Sequence, residues 1–113
     1  MELTELEHYD SVKCWLRKLE IYLADFNEEL KQICLNWLQQ YCEYFETNPD
    51  MLIADRAKTL ESNNPTIRGR HEDYLDSFIV KLSTEKLQAN KLTQAINVIR
   101  GFYRANYVSL QEF

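Results

Sequence analysis

Apolar residues return every three or four positions along most of the chain. Val12, Trp15, Leu16, Leu19, Tyr22 and Leu23 form one such stripe, the spacing of a helix that buries one face. A first helix is expected from Thr4 or Ser11 to about Leu23. Thr4 and Glu7 have the spacing of a capping box, and Ser11 is a second candidate cap. Asp25 or Asn27 can cap the next helix. That helix carries the most regular stripe: Leu30, Ile33, Cys34, Trp37, Leu38, Tyr41, Cys42 and Phe45. It is expected to stop near Thr47 and Asn48, because Pro49 disfavours a helical residue before it. Asn48-Pro49 then restarts a helix, with Met51, Leu52, Ile53, Ala54, Ala57 and Leu60 on its apolar side.

Residues 61–64 read as a polar loop. Asn64-Pro65 repeats the start signal, and a fourth helix is expected to run through Gly69 to about Leu82. Its apolar side holds Ile67, His71, Tyr74, Leu75, Phe78 and Leu82. Residues 83–90 read as a turn, with Asn90 as the cap of a fifth helix that carries Leu92, Ala95, Ile96, Ile99, Phe102 and Tyr103. Gly101 inside that helix costs about 1 kcal/mol relative to Ala, which a close helix crossing would explain. Asn106 is the expected helix end. Tyr107 to Leu110 read as extended chain that leaves the domain rather than folding back. The pattern therefore predicts one all-α domain over residues 1–113, with four to five helices and a helical core over about 11–106.

Composition narrows the class. With only two Gly and two Pro in 113 residues, helix breakers are few, and 45% apolar residues suit a folded core. No apolar run approaches the roughly 18 residues of a membrane span. The N-terminus lacks the basic region of a secretory signal, so the cytoplasm is the expected compartment. Cys14, Cys34 and Cys42 are an odd set without local pairing and read as small buried hydrophobes. His8 and His71 lack partners at metal-ligand spacing and read as surface or core-edge groups. No nucleophile with a base, and no acid–base pair, is visible. The expectation is a non-enzymatic chain with no catalytic residues, metal or cofactor.

Charge is uneven. The net charge is −5, but residues 1–64 hold thirteen acids against six bases, and residues 65–113 hold five against seven. A surface for a polyanion is therefore expected in the second half. Candidates are Asn90, Lys91, Thr93 and Gln94 at the start of the last helix, where free amides and the helix dipole favour phosphate. Arg100 and Arg104 lie four apart, hence on one face, and Lys81 and Lys86 would extend it. Arg68 and Arg70 are further candidates, although Glu72, Asp73 and Asp76 follow closely. Trp15, Trp37, Tyr41 and Phe45 fall on apolar stripes and are expected in the core.

The order of these motifs carries a resemblance. Trp37-Leu-Gln-Gln-Tyr-Cys-Glu-Tyr-Phe45, Pro49-Asp-Met-Leu-Ile53 and Ile99-Arg-Gly-Phe-Tyr103 resemble the N-terminal core-binding domain of tyrosine recombinases, or phage integrases. The likeness extends from about Ser11 to Leu110. It implies a SAM-like helical bundle that forms one half of a clamp on double-stranded DNA. It also implies contacts with other recombinase subunits on DNA, and a separate C-terminal catalytic domain that these residues do not contain. Residues 107–113 would then lead toward that domain, and the fragment alone would be monomeric. Two positions depart from the family pattern. Asn27-Glu28-Glu29 is acidic where basic neighbours are common, and Asn90-Lys91 stands where Thr is frequent. The alternative expectation is a helical protein–protein interaction module that uses the acidic N-terminal half.

Overall fold

A computed structural model describes residues 2–112 and is entirely helical apart from turns and a terminal strap; it contains no strand among those residues. Five long helices and two single-turn ones follow one another: α1 (Leu3–Leu6), α2 (Asp10–Tyr22), α3 (Glu28–Tyr44), α4 (Pro49–Thr59), α5 (Pro65–Arg68), α6 (Arg70–Thr84) and α7 (Ala89–Ala105). The radius of gyration is 13.8 Å, against about 13 Å for a compact chain of this length. No helix among the described residues is long and apolar enough to cross a membrane.

Asparagine starts three of the helices. Asn27, Asn48 and Asn64 are each in extended conformation, and each side-chain oxygen accepts the amide of Leu30, Met51 or Thr66 at 2.9 Å. Each bond satisfies one amide that the first helical turn leaves free. Pro49 and Pro65 occupy the first turn, where a missing N–H costs nothing.

Other expected starts differ. Thr4 lies inside α1 and makes no cap, and Ser11 lies inside α2. The first turn of α2 is instead held from another helix. Asp50 of α4 accepts from the Ser11 amide at 2.9 Å and from the Ser11 hydroxyl at 2.6 Å. The fourth helix is broken at Gly69, whose φ of −88° and ψ of 8° end α5 and begin α6. A Cβ at Gly69 would stand 3.3 Å from the Pro65 carbonyl oxygen, which explains the small residue. Asn90 is not a cap either. Helix α7 begins one residue earlier, and the backbone of Gln88 accepts from Lys91 and Leu92.

The core forms around α7. Ala95, Ile99, Phe102 and Tyr103 are fully buried against Trp15 of α2, Leu38 and Tyr41 of α3, and Phe78 and Leu82 of α6. Each such Leu or Phe contributes about 1.5–3 kcal/mol by leaving water. Edge-to-face ring pairs align the helices: Trp15 on Phe102 at 5.4 Å and Tyr41 on Phe78 at 5.1 Å. Trp15, Trp37 and Tyr41 are buried and Phe45 is partly so, as the stripes predict. Gly101 lies under the Trp15 indole, with 3.8 Å from its virtual Cβ to Nε1.

The C-terminal segment corrects an expectation. Residues 107–112 are non-helical but do not leave the domain. Tyr107 takes a left-handed φ of 65°, and Val108 donates back to the Tyr103 carbonyl at 3.1 Å. This helix-ending turn reverses the chain and lays it between α4 and α6, where Leu110 is only 8% exposed. Arg56, 1% exposed, uses all five guanidinium donors there. It forks onto Glu72 at 2.7 and 2.8 Å and donates to the carbonyls of Arg68, Val108 and Ser109. Glu72 in turn accepts the Gln111 amide at 2.8 Å.

Candidate nucleic-acid interface

Helix α7 contains no acidic residue and carries Lys91, Arg100 and Arg104, in a chain whose net charge is −5. Its inward positions are taken by Ala95, Ile99 and Phe102. At about 100° per residue, the outward positions are Asn90, Thr93, Asn97, Arg100 and Arg104, spaced three and four apart. All but Arg100 are exposed. Asn97 was not among the sequence candidates, although its spacing placed it on the stripe. The stripe is about 21 Å long at 1.5 Å per residue.

The start of α7 is also distinctive. The first turns of α3 and α4 hold an Asn cap together with Glu28, Glu29 or Asp50, and that of α6 holds Glu72 and Asp73. The first turn of α2 holds Asp10. Alone among the long helices, α7 has neither a side-chain cap nor an acid in its first turn. Asn90, Lys91 and Thr93 are exposed there, and no side-chain hydrogen bond or ion pair among the described residues engages them.

The nine sequence candidates divide. Lys86, Asn90, Lys91, Thr93 and Arg104 are exposed, and their side chains are unengaged among the described residues. Gln94 is half-buried, and its Oε1 accepts from Trp37 Nε1 at 2.9 Å, so it serves the core. Arg68 donates to the carbonyls of Leu60 and Ser62 and ties down the 60–62 loop. Arg70 pairs with Asp55 at 3.1 Å. Arg100 is a quarter exposed and pairs with Glu112 at 2.8 Å. Lys81, which was to extend the basic face, pairs with Glu85 at 3.0 Å.

Lys91 does not share a face with the two arginines. Nine residues separate it from Arg100, two and a half turns, so the side chains leave the helix about 180° apart. Lys91 therefore belongs to the N-terminal end of α7, and Arg100 and Arg104 to its outer stripe.

His71 corrects another expectation. It is fully buried, with Nδ1 2.8 Å from the Tyr103 hydroxyl and Nε2 2.7 Å from Asp55 Oδ2. A neutral ring satisfies both contacts: Nε2–H donates to Asp55, and Nδ1 accepts from Tyr103. Burial lowers the His71 pKa below its ordinary value despite the Asp55 carboxylate. For Asp55, burial works upward, but bonds from His71 and Arg70 outweigh it and hold the pKa low. Spacing alone gave no sign of this network, since Tyr103 lies 32 positions away.

Burial raises the Cys34 thiol to about 11 and the Cys42 thiol to about 12, which suppresses the thiolate at neutral pH. Cys14 is only half-buried and points its thiol at the Ala105 carbonyl at 3.5 Å. Among the described residues no group of three His, Cys, Asp or Glu side chains is arranged to hold a metal.

No protein-family model, no curated protein and no solved structure matches this chain.

Proposed function

We propose that this domain binds double-stranded DNA through α7, as a positioning module of a tyrosine-recombinase-like protein. The observation that supports it is the exposed, unengaged row of Asn90, Thr93, Asn97 and Arg104 on a helix whose own sequence holds no acid, together with its uncapped N-terminal turn. Lys91 and the first free amides of α7 meet one phosphate, and Arg104 meets another farther along. Asn90, Thr93 and Asn97 between them donate to phosphate oxygens or base edges. The acids elsewhere on the chain keep the affinity low and strongly dependent on salt. Strand cleavage and rejoining, in this reading, belong to a separate catalytic domain.

The test is a titration with a duplex of about 20 base pairs at low and moderate salt. Binding should weaken linearly in log–log form with salt, and K91A/R104A should reduce the slope by about two. Unchanged affinity and slope in that double variant would remove α7 as the contact surface.

One observation favours a second reading. Ile21, Tyr22 and Leu23 are consecutive and 65, 78 and 39% exposed, beside Glu20 and Asp25. Such a patch suits a protein partner. Loss of a partner subunit, but not of DNA, on I21S/Y22S would assign that role to it.

A further inference from the structure

Two arginine–glutamate pairs of opposite character touch the terminal strap among the described residues. Arg56 and Glu72 are buried and joined by a fork of two hydrogen bonds, 1 and 10% exposed. They grip the strap by its backbone at Val108, Ser109 and Gln111, with Leu110 packed between. The other pair begins one residue beyond this grip. Glu112 is 70% exposed and meets Arg100 through Nη1 alone, while the Arg100 Nε is buried without a hydrogen-bond acceptor. Asp76 lines the same small cavity as Arg100, Leu110 and Gln111 but makes no ion pair with the arginine. Among the described residues Glu112 is thus the carboxylate that pairs with an arginine of the α7 stripe, and an anchored strap delivers it there.

We propose that residues 108–112 form a built-in cover for the DNA-facing stripe, in which the Glu112 carboxylate competes with phosphate for Arg100. This rests on the reading of α7 as the DNA surface and adds its regulation. The grip at residues 108–111 holds Glu112 at a high effective concentration near Arg100. The single exposed contact lets the carboxylate lift away without disturbing Leu110 or the Arg56 fork. A phosphate that displaces it gains a second stripe arginine beside Arg104. The cover sets a threshold: Arg104 and the N-terminal turn engage first, and Arg100 joins only when phosphate density outcompetes the tethered acid.

The experiment compares wild type, E112Q, R100Q, R100Q/E112Q and R104Q on the same DNA duplex across a salt series, with far-UV circular dichroism to check each fold. E112Q should bind about two- to five-fold tighter, the range of an exposed ion pair. Its salt slope should be steeper by up to about one. Both effects should vanish in the R100Q background. If R104Q weakens binding but E112Q leaves it unchanged, the cover is wrong and the α7 surface stands. If E112Q tightens binding equally with and without Arg100, the effect is general charge and the pairing is overturned. If no variant binds duplex, both the cover and the α7 reading fall.

Discussion

Arg56 is the residue whose loss should damage the fold most. Methionine is close in volume and keeps the apolar stem, so R56M isolates the guanidinium. It removes five donated hydrogen bonds and leaves Glu72, only 10% exposed, without its cation. Breaking a buried pair by removing one partner costs about 3–5 kcal/mol. Total stability for such a domain is about 5–15 kcal/mol, so the loss is a large share. With an unfolding entropy of about 2.1 cal/mol/K per residue over 113 residues, the melting temperature should fall by about 13–21 °C. Urea denaturation gives the free energy directly. Hydrogen exchange at the Gln111 amide, now bonded to Glu72, should accelerate well beyond the global change because the strap loses its grip. A double variant, R56M/E72M, should cost less than the sum of the singles by about 1–3 kcal/mol, since no charge is stranded. A loss below about 1 kcal/mol for R56M, or additive singles, would show that the fork is not what fixes the strap.

Two further predictions concern stability, alongside the DNA-binding and cover tests. His71, lowered by burial, takes up a proton less readily when folded, so the unfolded chain binds it first and stability should fall as pH drops below about 6.5. Burial alone would raise Glu72, but the Gln111 amide and Arg56 hold it low, and Asp55 is also lowered, so a second loss should follow below about 4.5. Urea midpoints from pH 7.5 to 3.5 would check this, with H71Q abolishing the first phase; a flat profile between about pH 7 and 5.5 would refute it. Separately, Glu46 ends α3 in left-handed conformation with φ of 52°, a position where Gly carries no side-chain clash. E46G should stabilise by up to about 1 kcal/mol, the relief at Cβ outweighing the extra freedom of the unfolded chain, and a lowered urea midpoint would contradict that balance.

The elements were legible where the signal is local. Asn27, Asn48 and Asn64 cap because an adjacent side-chain oxygen suffices, and the aromatic stripes of α3 and α7 bury as their period requires, whereas the α2 stripe buries Val12 and Trp15 but leaves Tyr22 and Leu23 exposed at its end. What failed depends on distant partners. Ser11 does not cap because Asp50, thirty-nine positions on, bonds its amide and hydroxyl. Arg56 carries no local sign of burial, because its partners are Glu72, sixteen positions on, and the returning strap. His71 falls on the apolar side of its helix by spacing, but its bonds to Tyr103 and Asp55 depend on distant partners. For the candidate interface, the acid-free composition of α7 was visible in the sequence. The opposition of Lys91 and Arg100 was also readable from their nine-residue spacing. The engagement of Gln94 and Arg70 was not, because their partners lie on other helices.

The two indoles turn α7 into an optically instrumented rod. Trp37 is tethered to Gln94 near one end, and Trp15 rests on Gly101 and Phe102 near the other. Emission from single-tryptophan forms would therefore report separately on events at either extremity of the helix. A ligand seated at the amide end should perturb the Trp37 signal more than the Trp15 signal, without any added dye.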